Sequence, residues 1–340
     1  MENKIKITPA KGRPMLYWVG KKPLDCVKGF PAQLAEVFDP QNTGRIIKIP
    51  TYEELKDNWQ NLLFHGDNKD VLATLLELGF RGKIDLIYID PPFMSNRDYV
   101  RKVELRGVKS EKLTIDETSI LQQTMYFDIW NNDNYLQWLY ERLMIMKELL
   151  SENGSIYVHL DWHIGNYVKV IMDEIFGVGN FKNMVIWHYG GRGAKAISGQ
   201  FPRNYDVILI YTKNPAANLE KVYVPFKVPI SQAPKYGFKK DKKGRWFKSA
   251  PRGDYTDKSI EQLKKEDRIY VTKDGNIRIK YFLEEVKGFV IEKKLVGDVW
   301  NDIPDMMHAP QQERLDVRTQ KPEALLERII RASSNEDDLV

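Results

Sequence analysis

Residues 84–93 form an apolar run that leads directly into an acid, two prolines and an aromatic ring, Ile-Asp-Leu-Ile-Tyr-Ile-Asp-Pro-Pro-Phe. The stretch Leu86–Ile89 is rich enough in β-branched and aromatic residues for a buried strand of a parallel sheet. Parallel sheets present their ligand sites at the carboxyl ends of strands, where Asp90 falls. Pro91 and Pro92 have no N–H group, so this backbone offers only carbonyl acceptors, and Phe93 adds a flat apolar surface. The pattern predicts a site for a planar amine; the competing interpretation is a stiff turn that caps the strand.

Strands and helices alternate on both sides of this motif. Asn61–Asp67 is typical of a strand that ends in a Gly-Asp turn, and the apolar stripe after it predicts a helix that ends at Gly79. A strand, helix and strand in this order predict a right-handed parallel crossover, which would bring Asp67 and Asp90 to one edge of the sheet.

Further segments extend the same alternation. Helices are predicted at Tyr135–Leu150, Tyr167–Phe176 and Pro322–Ala332, and strands at Met15–Val19, Ser155–Leu160, Val185–Trp187 and Val207–Tyr211. The alternation predicts an α/β fold with a doubly wound, Rossmann-like sheet. Residues 94–125 are charged and poorly periodic, and loops of that length in compact domains are usually functional or disordered.

Composition limits the class of protein. The chain has 340 residues, 42% hydrophobic and 29% charged, which suits one large domain with an insert or two modest domains. It has no run of 18 apolar residues and no apolar signal core at its start, so we expect a cytoplasmic protein without a membrane segment. Its single cysteine, Cys26, cannot form an internal disulfide or a zinc cluster.

Positive charge is concentrated in one part of the chain. The net charge is +5, but Lys221–Lys294 has 20 Lys and Arg against 10 Asp and Glu, a local +10 that leaves the remainder at −5. This distribution favours contact with a phosphate backbone. The alternative is a lysine-rich surface that is simply solvated, which would show the same excess of positive charge. Arg268–Lys280 alternates around Asp274-Gly275 and predicts a β-hairpin, either a DNA-reading ribbon or a hairpin packed on a core. Candidate DNA-binding residues are Arg245, Lys248, Arg268, Lys273, Arg278 and Lys280.

Several of these segments together resemble a known family. Asp-Pro-Pro-Phe at a strand end is similar to the hallmark of the amino-methylating DNA methyltransferases, which act on the N6 of adenine or the N4 of cytosine. Further resemblance covers Asn61–Asp67, Tyr135–Leu143, Gly154–Asp161 and Thr319–Pro322 in the family's order. Because the catalytic motif comes first, the order resembles that of the beta class.

The resemblance implies S-adenosylmethionine as cofactor and a flipped base in double-stranded DNA as substrate. It implies catalytic roles for Asp90, Pro91, Pro92 and Phe93, and cofactor-binding roles for Asp67, Asp90, Lys321 and Pro322. The family more often has Ser in place of Asp90 when cytosine is the target, so adenine is favoured and N4-cytosine stays open. The lack of a Pro-Cys dipeptide argues against methylation of a cytosine ring carbon. RNA methylation is a weaker alternative.

One departure from the family is large. Its Phe-x-Gly-x-Gly cofactor loop would follow Val340, so we expect this chain either to be a truncated form or to obtain the loop from a second subunit. On this expectation residues 1–340 alone would neither bind the cofactor tightly nor methylate DNA, and a non-catalytic DNA-binding or specificity subunit becomes an alternative. The Gly190–Gly193 cluster lacks a following helix and is interpreted as a hinge. A cognate restriction endonuclease and a homodimer are further partners that the resemblance leaves open.

These considerations predict four regions: an accessory arm (residues 1–50), a catalytic core (51–215), a basic β-rich target-recognition insert (216–300) and a return to the core (301–340). The spacing of His159, Asp161 and His163 also suggests a metal site. It lacks the acid partner and open position of catalytic zinc, and a strand end already explains it, so no metal is expected.

Overall fold

A computed structural model describes residues 4–10, 12–37, 49–56, 59–93, 98–102, 122–127, 132–190, 201, 203–315, 317 and 319–340, with only the backbone at 98–102, 122–127 and 132. The chain divides into two compact units, Met1–Glu220 with Asp298–Val340, and Lys221–Gly297. The second unit lies within five residues of each end of the predicted insert, 216–300. Within the described part of the chain, every helix is too short or too polar to span a lipid bilayer.

Elements are numbered in chain order through both units. The first unit contains β1 (Ile5–Lys6), β2 (Cys26–Val27), α1 (Tyr52–Lys56), α2 (Asn68–Glu77), β3 (Ile84–Ile89), β4 (Asp98–Lys102), β5 (Gln122–Phe127), α3 (Asn132–Leu149), β6 (Leu150–Leu160), α4 (Gly165–Phe176), β7 (Phe181–His188), β8 (Tyr205–Thr212), β16 (Val299–Trp300) and α6 (Glu323–Ser333). The second contains β9 (Tyr223–Pro229), β10 (Lys239–Lys240), β11 (Trp246–Pro251), α5 (Asp257–Lys265), β12 (Ile269–Val271), β13 (Ile277–Phe282), β14 (Glu284–Val286) and β15 (Phe289–Leu295).

The first unit is built on a five-stranded sheet in the order β16-β7-β8-β6-β3. β3 runs parallel to β6, with Ile89 beside Val158, whereas β8 runs antiparallel to both β6 and β7. Helices α3 and α4 bury their apolar stripes with the side chains of Ile156 and Val158 in one core. On the other face, the Tyr157 hydroxyl lies 2.5 Å from Ser333 Oγ of α6. Helices therefore cover both faces, and the doubly wound α/β prediction is confirmed, with β8 as the reversed strand.

Two predicted strands are wrong. Asn61–Gly66 has no strand pairing, and Leu63 is fully exposed, because no described strand lies beside this segment to accept its hydrogen bonds. Met15–Val19 is also irregular. It is anchored by one side chain, since Trp18 is buried with its ring centre 5.8 Å from that of Tyr140 while its neighbours are exposed.

The end of the chain lies along the free side of β3. The Leu339 carbonyl accepts hydrogen bonds from the backbone N–H groups of Asp85 (2.8 Å) and Leu86 (3.2 Å). Residues 338–340 form no regular strand.

The predicted loop at 94–125 lies partly outside the described residues. Its described parts include β4 and the beginning of β5, which pair antiparallel. Residues 191–193 of the predicted glycine hinge also lie outside them.

Several side chains of residues 4–10 and 12–37 pack into the main core of the first unit. Ile7, Trp18 and Val27 are buried there. Lys21 forms a 2.7 Å ion pair with Glu174 of α4, and both side chains are nearly inaccessible, at 10% and 3% exposure.

The second unit contains two small antiparallel sheets, β10-β11-β13-β12 and β14-β15-β9. The predicted hairpin is confirmed, since β12 and β13 pair on either side of a turn in which Gly275 has φ +82°. Ile279 of β13 is fully buried against Ile260 and Leu263 of α5. One face of the hairpin is therefore packed on a core.

Asp267 is surrounded by cations of the second unit. Its carboxylate pairs with Lys243 (3.0 Å), Lys280 (3.4 Å) and Arg245. Hydrogen bonding from Lys243 is the largest influence on the pKa of Asp267, which these cations together lower to about 2.

We expect acid to destabilise the second unit through Asp267. The folded-state pKa lies below that of the unfolded chain, so the stabilisation is present above about pH 4 and is lost as the pH falls towards 2. Urea unfolding between pH 5 and pH 2.5 should show a smaller loss of stability in Asp267→Asn than in wild type. Asp254→Asn, at an exposed acid of the same unit, is the control; equal pH profiles for wild type and Asp267→Asn would contradict the assignment.

Candidate active site at the carboxyl end of β3

Asp90 is the first residue after β3, and its carboxylate is 25% exposed. Lys321 Nζ forms an ion pair with Asp90 Oδ2 and lies 5.4 Å from the centre of the Phe93 ring. The carbonyl of Pro92 accepts a hydrogen bond from the Tyr135 hydroxyl (2.8 Å). No hydrogen bond from the described residues engages the carbonyl of Pro91. The motif therefore places together a carboxylate, a carbonyl without a hydrogen-bond partner among the described residues, and an aromatic ring.

Lys321 reaches Asp90 from the far end of the chain. Pro322, the next residue, is the N-cap of α6 with φ −62°, so the helix starts where proline can no longer disturb its hydrogen bonds. Packing of α6 against β3 then carries Lys321 to the strand end. The structure thus brings together two predicted sets of residues, the catalytic motif and the Lys321-Pro322 pair.

Asp67 is held by a different set of contacts. It is the N-cap of α2 and accepts a hydrogen bond from the backbone N–H of Lys69 (2.8 Å). Arg142 of α3 donates to both Asp67 oxygens, at 2.8 and 2.9 Å. Burial lowers the pKa of Arg142, against the raising effect of Asp67. Sequence reasoning missed Arg142, although a charged residue within the apolar stripe of α3 was a usable signal.

A cavity of about 1270 Å³ is lined by residues 59–67, which include Asp67, and by parts of the N-terminal segment and α2. Asp90 and Lys321 are not among its lining residues. The described residues suit the polar groups of S-adenosylmethionine. The carboxylates of Asp67 and Asp90 can accept hydrogen bonds from its ribose hydroxyls and its ammonium group, and Lys321 can donate to its carboxylate. The groups that fit the cofactor lie at two separate places: Asp67 lines the cavity, whereas Asp90 and Lys321 lie outside its lining.

A second set of polar side chains lies on the same face of the sheet as Asp90. The Tyr88 hydroxyl lies 2.8 Å from His159 Nδ1, and His159 Nε2 lies 3.2 Å from Asp206 Oδ2. Burial, followed by the charges of Asp90 and Asp206, raises the pKa of Tyr88 well above its usual range. Sequence reasoning considered His159 only as a metal ligand; the alternation that places Tyr88 and Asp90 on one face was the available signal.

The suggested metal triad is not brought together. His159 is directed to Asp206, whereas His163 Nδ1 lies 2.6 Å from Asp161. Within the described ranges there is no group of three or more His, Cys, Asp or Glu suited to a metal ion.

Most predicted DNA-binding cations have partners within the second unit. Arg245 pairs with Asp241 (2.7 Å), Lys248 with Glu292 (2.7 Å) and Arg268 with Glu266 (3.6 Å). Arg278 donates to the carbonyl of Ser249 (2.9 Å), and Lys280 is buried beside Asp267. Lys273 is exposed in the hairpin turn and has no partner in the described part of the chain.

Comparison with known proteins gives consistent relatives. The chain is 27% identical over 209 residues to the Type III restriction-modification enzyme EcoP15I Mod subunit of Escherichia coli, covering 58% of this chain and 30% of the relative. It is 26% identical over 331 residues to the StyLTI Mod subunit of Salmonella typhimurium, covering 83% and 48%. The chain thus spans less than half the length of these relatives. Among solved structures, the M1.HpyAVI–SAM complex is similar with a TM-score of 0.36 and 15% identity, covering 81% of this chain and 78% of that one.

A family model described as DNA methylase matches residues 84–340, from the first residue of β3 to the last of the chain. The match contains Asp90, Phe93, His159 and Lys321, and covers well over half of the sequence. The chain belongs to this family, the N6_N4_Mtase DNA methylases.

Proposed function

We propose that this chain is the catalytic and DNA-recognition part of an S-adenosylmethionine-dependent DNA methyltransferase that acts on the exocyclic amine of a flipped adenine. The observation that carries the proposal is the carboxylate of Asp90 at the end of β3, beside the carbonyl of Pro91, which has no hydrogen-bond partner among the described residues, and the ring of Phe93. The relatives named as Mod subunits of restriction-modification enzymes support a role in modification, with a restriction subunit as partner.

The chemistry requires activation of a poor nucleophile, because the lone pair of an aromatic amine is delocalised into its ring. Lys321 occupies Oδ2 of Asp90, which leaves Oδ1 to accept one N–H of the amine, while the Pro91 carbonyl accepts the other. Two acceptors favour a tetrahedral nitrogen whose lone pair points out of the base plane. S-adenosylmethionine, when bound, supplies the methyl group. Asp90 or water takes the proton after transfer.

The base must leave the duplex to reach Asp90. Flipping costs a few kcal/mol, and stacking against Phe93 offsets part of that cost. Adenine is proposed over cytosine because the motif begins with Asp. Asp67, held by Arg142, and Lys321 with Pro322 are proposed to contact the cofactor.

The experiment is a methyl-transfer assay of the full-length protein on duplex DNA, followed by nucleoside mass spectrometry. N6-methyladenine is expected. N4-methylcytosine would leave the enzyme class intact but change the target base. DNA binding without any methyl transfer would instead favour a non-catalytic DNA-binding subunit.

The basic second unit is proposed to bind DNA, and Lys273 is the sharpest test. Because neutralised phosphates release counterions, Lys273→Ala should lower the slope of log K against log salt by about 1. The measurement is fluorescence anisotropy of labelled duplex from roughly 50 to 200 mM salt, a range over which affinity that depends on several phosphate contacts falls steeply. Lys56→Ala, at an exposed lysine of α1, is the control, and an equal slope in both variants would contradict contact at the hairpin turn.

A further inference from the structure

His159 of β6 is fully buried and connects three strands of the sheet. Its Nδ1 lies 2.8 Å from the Tyr88 hydroxyl of β3, and its Nε2 lies 3.2 Å from Asp206 Oδ2 of β8. Asp206 is itself 3.4 Å from the Tyr189 hydroxyl. Since β6 lies between β3 and β8, the imidazole links all three strands of the sheet. We call Tyr88, His159 and Asp206 the polar brace.

The proton positions in this brace follow from its chemistry. The Asp206 carboxylate can only accept a hydrogen bond, so the imidazole nitrogen that faces it, Nε2, carries a proton and donates it there. Nδ1 is then the acceptor of the Tyr88 hydroxyl proton, which burial and nearby acids keep on that oxygen by raising the pKa of Tyr88. Two directed hydrogen bonds therefore fix the orientation of the His159 ring.

The fixed ring contacts the motif directly. Its centre lies 5.8 Å from the centre of the Phe93 ring, with a 42° angle between the planes. Trp187 of β7 meets the same imidazole edge to face, at 5.6 Å and 79°, and its Nε1–H donates to the carbonyl of Ile303 (2.9 Å). Phe93 therefore rests on a histidine that is restrained by strands on both sides.

We propose that His159 is a positioning residue: held by Tyr88 and Asp206, it sets the tilt of the Phe93 ring and thereby the face on which the target base stacks. The inference rests on the proposed methyl transfer for its kinetic consequence, but not for its structural one. Misplacement of a reacting group by about 1 Å can cost on the order of 100-fold in rate, so a small change in ring tilt is expected to be visible in kcat.

Three substitutions separate the elements of the brace. His159→Phe keeps a ring of similar size and loses both hydrogen bonds, whereas His159→Gln keeps one acceptor and one donor and loses the ring. Tyr88→Phe removes a single oxygen. Tyr157→Phe is the matched control, because it removes a buried hydroxyl from β6 that bonds Ser333.

The first readout does not depend on catalysis. 4-Fluorophenylalanine at position 93 of the full chain reports the ring environment by ¹⁹F NMR. We expect His159→Gln and Tyr88→Phe to shift or broaden this resonance and Tyr157→Phe to leave it unchanged. Unchanged spectra in both brace variants would overturn the proposal. If His159→Gln fails to fold, as judged by thermal melting, Tyr88→Phe carries the test alone.

The second readout is kinetic and uses the full-length protein. His159→Gln is expected to lower kcat by about 10-fold or more with a KM for DNA within about twofold of wild type, the pattern of an interaction needed in the transition state. A target-site 2-aminopurine should fluoresce more strongly in the variant, because it stacks less well on Phe93. A shifted ¹⁹F resonance with unchanged kcat would overturn the positioning role. Absence of methyl transfer in wild type would instead count against the proposed function and leave the ¹⁹F result standing.

Discussion

Replacing Asp90 by asparagine is expected to reduce methyl transfer by about 10²–10⁴-fold, the range that a positioned proton acceptor contributes. The amide keeps the shape of the side chain but loses the negative charge that accepts from the amine. It also places either a donor or a weaker acceptor opposite Lys321. Because the Asp90 carboxylate is 25% exposed and is paired with one lysine, we expect the fold to be retained.

The test is methyl incorporation into DNA at saturating cofactor, with circular dichroism as the check on folding. Asp85→Asn is the matched control, since Asp85 lies on the same strand and its carboxylate accepts from the backbone N–H of Leu339, a bond that asparagine can keep. Turnover of Asp90→Asn within a few-fold of the control would refute a catalytic role for Asp90.

Replacing Lys21 by methionine should lower the free energy of unfolding of the first unit by about 3–5 kcal/mol, because it leaves a buried carboxylate without its counter-ion. Lys21 Nζ lies 2.7 Å from Glu174, donates to the carbonyl of Leu16 and stands 4.6 Å from the centre of the Trp18 ring. The substitution therefore also removes the cation that joins the N-terminal segment to α4.

Urea unfolding of the two variants of adjacent lysines gives a direct comparison. Lys22→Met changes an exposed side chain and should stay within about 0.5 kcal/mol of wild type. The double variant Lys21→Met, Glu174→Met should recover much of the loss, since an apolar pair can replace a buried ion pair. A single Lys21→Met variant as stable as Lys22→Met would show that the pair contributes nothing.

Local patterns predicted the elements that carry their own signals. α3, α4 and α6 have apolar stripes with nearby stop signals, β3 and the Ser155–Leu160 half of β6 are short apolar runs, and the Asp274-Gly275 turn specifies the hairpin in the second unit. Asp67 as N-cap also follows from its residue type. In each case the relevant interactions lie within about ten residues of one another, which is the range that periodicity and capping describe.

Long-range pairings account for what the sequence did not predict. The Asn61–Gly66 run has strand composition but no neighbouring strand, and composition carries no information about a partner. The contact between Lys321 and Asp90, and the brace through His159, join residues from separate elements. The charge count of the second unit did not reveal which cations pair with acids inside that unit. Lys280 was therefore predicted to bind DNA, although it is buried.

The segments by which the chain enters and leaves the second unit lie side by side. β9 and β15 run antiparallel, Leu295 lies opposite Tyr223, and the Val296 N–H donates to the Val222 carbonyl (2.9 Å). A gene segment with such paired ends can be exchanged by recombination as a cassette, because the new segment has only to bring its own ends equally close. Under the proposed division of labour, replacement of the whole insert would change the DNA specificity and leave the catalytic strands untouched.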